Sequence, residues 1–92
     1  MDIIVTHNSE KNRYDGTFEG KLVGFIDYVP HGDVVELPHT EILPEYEGQG
    51  VGGKLVSATL DHLRAIDKKV IPSCPFVDSY IEKHSEYQDL RA

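Results

Sequence analysis

The sequence has one cysteine, one methionine and no tryptophan among its 92 residues. A lone Cys74 excludes an internal disulfide framework and any multi-cysteine zinc site. Long apolar runs are missing as well. The longest, Leu22 to Ile26, is interrupted by Gly24 and falls far short of the roughly 20 residues that cross a bilayer. Basic residues are scarce: 9 Lys+Arg against 16 Asp+Glu leave a net charge of -7. That balance argues against nucleic-acid and anionic-membrane partners, since both are held by basic patches. No basic segment with an apolar one behind it opens the chain, so no secretory signal is expected and a reducing, cytoplasmic setting is. Repeats and low-complexity tracts are absent too. What is present, 39% hydrophobic and 27% charged residues, describes an ordinary globular chain whose size suits one domain over residues 1–92.

Ile3, Ile4 and Val5 form a short β-rich run ending at His7-Asn8-Ser9. The Asp15-Gly16 pair is a hairpin-turn signal, Leu22 to Val29 a largely buried strand, and Val34 to Leu43 a further strand. Pro38 cannot donate to a ladder, so it marks a bulge, an edge or a break there. Gly50 to Asp67 places Leu55, Val56, Leu60, Leu63 and Ile66 within an arc of about 140° at ~100° per residue, which predicts a long amphipathic helix. Val70-Ile71 is a short strand. Pro75 suits the first turn of a second helix, with Val77, Tyr80, Ile81 and His84 on its apolar stripe. The order is β-β-β-β-α-β-α, and the segment from Val34 to Pro72 has the form of a βαβ unit with parallel strands.

Glu47-Gly48-Gln49-Gly50-Val51-Gly52-Gly53 separates a strand from the long helix. Such a cluster suits close backbone approach by an anion, because free amides and the macrodipole at a helix N-terminus favour negative charge. A plain tight turn is the alternative. The loop is not a P-loop, since no Gly-Lys-Ser/Thr follows, and it fits the dinucleotide fingerprint poorly. His39 and Glu41, two apart on a strand, leave the same face and could take a proton from an amine, or could be a solvated surface pair. With Cys74 they make too few ligands for a zinc site, and no metal is expected. Cys74 precedes Pro75 at a helix N-terminus, where a thiolate is stabilised, although a lone cysteine is more often an inert buried side chain. His7, His31, His62 and His84 read as surface residues.

The stretch from His39 to Leu55 resembles the acetyl-CoA-binding motif of the GNAT superfamily of N-acetyltransferases. There, Gln/Arg-x-x-Gly-x-Gly/Ala follows a strand ending in apolar-x-Pro. Gly50 and Gly52 take the glycine positions, and Glu47 replaces the leading Gln/Arg. Together with Ile71-Pro72-Ser73-Cys74-Pro75 and His84-Ser85-Glu86-Tyr87, the chain is similar to the small single-domain branch called YjdJ-type.

The resemblance implies an α+β (α/β) GNAT-like fold. Its sheet is mixed and mostly antiparallel, with one long helix after the glycine-rich loop and a short C-terminal helix. It implies acetyl-CoA (CoA) as co-substrate and an amine, small or protein-borne, as acceptor. Ile42 and Leu43 would pair with the pantetheine chain, and the amides of Gln49, Gly50, Val51, Gly52, Gly53 and Lys54 would hold the pyrophosphate. Cys74, with Glu41 or His39 as base, would act at or near the thioester, and Tyr80 is either the acid for the leaving thiolate or a packing residue. The chain is expected to be a monomer or weak dimer. The alternative is a CoA- or acyl-CoA-binding interaction module with little turnover.

Overall fold

β-Branched and aromatic residues at alternating positions fold the first half of the chain into four strands. The computed structural model describes residues Met1–Ala92. Strands β1 (Ile4–Asn8), β2 (Arg13–Phe18), β3 (Lys21–His31) and β4 (Val34–Ile42) are antiparallel neighbours in chain order. Helix α1 (Val51–Ala65) then leads to β5 (Lys69–Ile71), which pairs in parallel with β4 as the βαβ reading requires. Helix α2 (Pro75–Lys83) and a 3-10 helix, Ser85–Leu90, complete the α+β fold. No helix is long and apolar enough to cross a membrane.

One sheet face carries the core. Tyr14, Ile26, Val35 and Leu37 meet Leu55, Val56, Leu60 and Leu63 of α1, and Val77 and Ile81 of α2 close one side. The chain end is tied down as well: Arg91 grips Asp78 at 2.8 Å and Glu82 at 3.0 Å, and the Ala92 amide donates to the Val70 carbonyl. Arg13, Asp15, Phe25, His39 and Glu41 alternate with those core positions and so lie on the opposite face.

Asp15-Gly16 is not a turn; it lies inside β2. Asp15 is held by Arg13 of its own strand (2.6 Å) and, across the pair, by Asn8 of β1 (2.9 Å), and Gly16 sits against Ile3 and Leu55 in the core. The hairpin turn is Glu19-Gly20, both at positive φ (50° and 81°), as a two-residue primed turn requires. Pro38 does mark a bulge. Asp27 opposes His39 and Val29 opposes Glu36, so Leu37 and Pro38 together face Tyr28.

Two of the histidines expected at the surface, His7, which is exposed, and His62, which is half-buried, belong to a ring cluster. His7 stacks on Tyr14 with centroids 4.9 Å apart, and its Nε2 is 2.7 Å from the Tyr28 hydroxyl. His62 Nδ1 is 2.6 Å from the Tyr14 hydroxyl. Burial holds His7 below its ordinary pKa of 6.5, with a contribution from His62, and pushes Tyr14 up to about 12. The folded chain therefore resists a proton that the unfolded chain accepts. This contribution to stability is complete above pH 6.5 and is lost as pH falls through the lower, folded-state value. The unfolding midpoint is expected to drop on acidification below pH 6.5, and His7→Phe should flatten that part of the thermal-melt profile.

Candidate active site

Strand β5 is short, and its brevity makes the site. Its three residues pair only with Val34, Val35 and Glu36, so β4 runs on from Leu37 to Ile42 without a neighbour on its outer edge. The bulge at Pro38 turns the Leu37 carbonyl outward, where it accepts the Cys74 amide at 2.9 Å. Beyond it, Leu43 donates to the Val23 carbonyl of β3 at 2.9 Å. By alternation the peptide groups of Thr40 and Ile42 face the open edge. Leu43 therefore does not join Ile42 as a partner for an extended amide chain, because its carbonyl is also taken, by Tyr46 at 2.9 Å. Thr40 replaces it.

Cys74 sits at this edge, 6% exposed, as the residue before the first turn of α2. Its thiol donates to Thr40 Oγ1 at 3.4 Å. Burial pushes the thiol pKa up, but the Thr40 hydroxyl and the amides of Val77, Phe76 and Thr40 outweigh it, and the net shift is downward. Nothing in the sequence marked Thr40, although its alternation with His39 and Glu41 puts it on the Cys74 side. His39 Nε2 donates to Glu41 Oε1 at 3.1 Å, and both side chains are exposed. They leave β4 on the face opposite Thr40, so the three expected catalytic residues flank the strand rather than cluster. The thiol lies on the helix side of the sheet and the His–carboxylate pair on the other, where the His39 ring meets Phe25 of β3 edge-on with centroids 6.3 Å apart.

At the end of β4 the chain turns through Pro44–Tyr46 into α1. Gly50 caps that helix with φ 78°, a left-handed conformation that leaves no side-chain cap on the amides. The amides of Gly50, Val51, Gly52 and Gly53 find no acceptor within the chain, whereas that of Lys54 already donates to Gly50 at 3.3 Å. They border a cleft of ≈370 Å³ lined also by Ile42, Tyr46, Glu47 and Phe76. Gln49 and Lys54 do not line it. The Gln49 side chain reaches the Glu45 carbonyl at 3.4 Å, and the Lys54 ammonium reaches the Met1 carbonyl and Asp2. Gly52 serves packing: a Cβ there would come within 2.6 Å of the Phe76 ring, so this glycine lets α2 lie against the first turn of α1.

Tyr80 is half-buried and stacks on His84, centroids 3.9 Å apart, in a packing arrangement. Tyr87 donates to Asp61 at 2.8 Å and lies 3.1 Å from Ser57; burial raises its pKa first, and Asp61 adds to the rise.

An open strand edge that leads to free helix-terminal amides suits a ligand with an extended amide chain and a pyrophosphate. Comparisons with known proteins give the family. Residues 13–90 match the family model of the GCN5-related N-acetyl-transferases. The protein NATD1 of Mus musculus is 27% identical over 85 residues, covering 89% of this chain and 76% of that protein, and NATD1 of Homo sapiens is equally similar, with 74% of its length covered. The solution structure of a GCN5-like candidate N-acetyltransferase from Staphylococcus aureus superposes with a TM-score of 0.73 at 30% identity, over 97% of this chain and 87% of that one. Ard1 from Thermoplasma volcanium shares the fold, with a TM-score of 0.60 at 20% identity over 86% of this chain and 55% of that one. The chain belongs to the GCN5-related N-acetyltransferase family and is an acyltransferase.

Proposed function

We propose that residues 1–92 form one domain of the YjdJ-type branch that transfers the acetyl group of acetyl-CoA to an amine. The observation that carries this reading is the unpaired outer edge of β4, which begins beside Cys74 and ends at the four free amides of α1. The pantetheine chain adds to that edge as a short strand, pairing with the Thr40 carbonyl and the peptide group of Ile42. The pyrophosphate takes the amides of Gly50 to Gly53. This puts the thioester near the bulge and Cys74. The Cys74 thiolate attacks the acetyl carbon, the bond to the CoA sulfur breaks, and the CoA thiolate leaves and takes a proton from water. The amine, losing its proton to the His39–Glu41 pair, then takes the acetyl group and releases the Cys74 thiolate. A free thiol in this role suits a reducing cytoplasm, and the domain acts as a monomer or weak dimer.

Glu47 opposes the ligand's charge from the cleft wall. Glu47→Gln is expected to tighten CoA binding several-fold at low salt and less at high salt, as calorimetry at two ionic strengths would read. The reading as a whole is tested by incubating the protein with acetyl-CoA and a panel of amines, and following free CoA and acetylated amine by chromatography. Amine-dependent consumption is expected. Acetyl-CoA that stays bound and intact with every amine would make the protein a binding module instead.

A further inference from the structure

We propose that the sheet face opposite the helices carries a protein-docking site centred on Glu36, which takes an arginine side chain that the partner presents between apolar residues. Docking there does not depend on acetyl-CoA. Glu36 pairs with Val29 of β3 on one side and with Ile71 of β5 on the other, so the three side chains form a row across the sheet. Val35, Leu37 and Val70 are buried on the helix side, and by alternation the row points the other way. Val29 is 39% exposed and Ile71 42%. Half-buried Val34, two residues before Glu36, lies on the same face.

Two features of this row call for a partner. Single exposed apolar side chains are ordinary, but Val29 and Ile71 share one row with a carboxylate between them. Glu36 is also fixed and only half used. Its Oε2 accepts the Ser73 hydroxyl at 2.6 Å, which holds the carboxylate in place, whereas Oε1 receives no hydrogen bond. The His31 ring lies 3.6 Å from Oε1, beyond hydrogen-bond reach. Lys69, which adjoins the row opposite Val34, turns its ammonium to the Asp89 carbonyl at 2.6 Å. The chain thus supplies no lysine or arginine to Glu36, and Asp27, opposite His39 on this face, adds negative charge. A pre-oriented carboxylate with an apolar rim matches arginine, whose planar donors pair with carboxylate oxygens while its stem packs on aliphatic side chains. A second copy, docked about a two-fold axis at this row, would set Glu36 against its own equivalent, so like charge disfavours it. The net charge of -7 likewise favours a basic partner.

The probe is the capped pentapeptide acetyl-Gly-Leu-Arg-Leu-Gly-amide, titrated into the whole protein and followed through the amide resonances. Saturable shifts are expected at Val29, Glu36 and Ile71. The same peptide with citrulline for arginine keeps the shape and loses the charge, and should bind about fivefold more weakly, the scale of one exposed ion pair. Glu36→Gln should equalise the two peptides, and Ile71→Ser should weaken both. Equal binding of the two peptides by the wild type, shifts that lie elsewhere, or no saturable shifts would overturn the proposal. So would a dimer, seen by sedimentation, that Ile71→Ser dissolves. The citrulline comparison uses the unaltered protein, so it decides the matter even where a variant fails to fold. Each of these outcomes leaves the acetyl-transfer reading untouched.

Discussion

Wild-type protein incubated with acetyl-CoA is expected to gain one acetyl group that hydroxylamine removes, and Cys74→Ala is expected to gain none. The thiol is the only one in the chain and lies at the open edge of β4, with its pKa held below the ordinary thiol value despite burial. Its three backbone donors and the Thr40 hydroxyl stabilise the thiolate, which is the nucleophilic form. Lability to hydroxylamine separates a thioester from an amide on a lysine or the N-terminus. Cys74→Ser keeps size and hydrogen bonding but is a far weaker nucleophile at neutral pH, so it should bind CoA like the wild type and transfer at background rate. Full transfer by Cys74→Ala would remove the covalent step and leave direct attack by the amine.

Gly50→Asp is expected to weaken CoA binding by about 10- to 100-fold, the equivalent of about 1.5–3 kcal/mol in charge-assisted hydrogen bonding. No atom lies within 4 Å of the position a Cβ would take at Gly50, so the new side chain fits. Aspartate is a favoured helix cap, and its carboxylate would occupy the free amides of α1 and repel the pyrophosphate. Positive φ is strained for aspartate as for any side chain, and Gly50→Asn carries that strain without the charge. The asparagine variant should therefore lose much less affinity. Calorimetry of the two variants beside the wild type isolates the charge effect, and equal losses would remove the anion site from the account.

Element order and the βαβ unit were legible because α1 and the central strands bury whole stripes, and periodicity reports burial. The Asp15-Gly16 reading failed where local turn chemistry lost to tertiary contacts: a cross-strand Asn8–Asp15 hydrogen bond and the packing of Gly16 against Leu55 keep β2 extended. The free helix-terminal amides of the glycine loop were legible, but not the division of labour within it. Gly50 supplies the left-handed cap and Gly52 the room for Phe76, and the second role depends on a residue 24 positions further on. Thr40 and Phe76 left no local mark for the same reason. Their roles arise from the open edge of β4, which follows from β5 ending after three residues, and from α2 lying against α1 at Gly52.

The central claim is that the donor lies along the outer edge of β4 and on the first turn of α1. Amide resonances recorded during titration with CoA test it most directly. The account predicts that the largest shifts fall on Gly50, Val51, Gly52 and Gly53, followed by Ile42, with Thr40, Leu43 and Lys54 moving less because their amides are already bonded. Shifts concentrated instead in the groove of ≈510 Å³ formed by Ile3, Val5, Ser57 and Asp61, with the glycine amides unmoved, would contradict it.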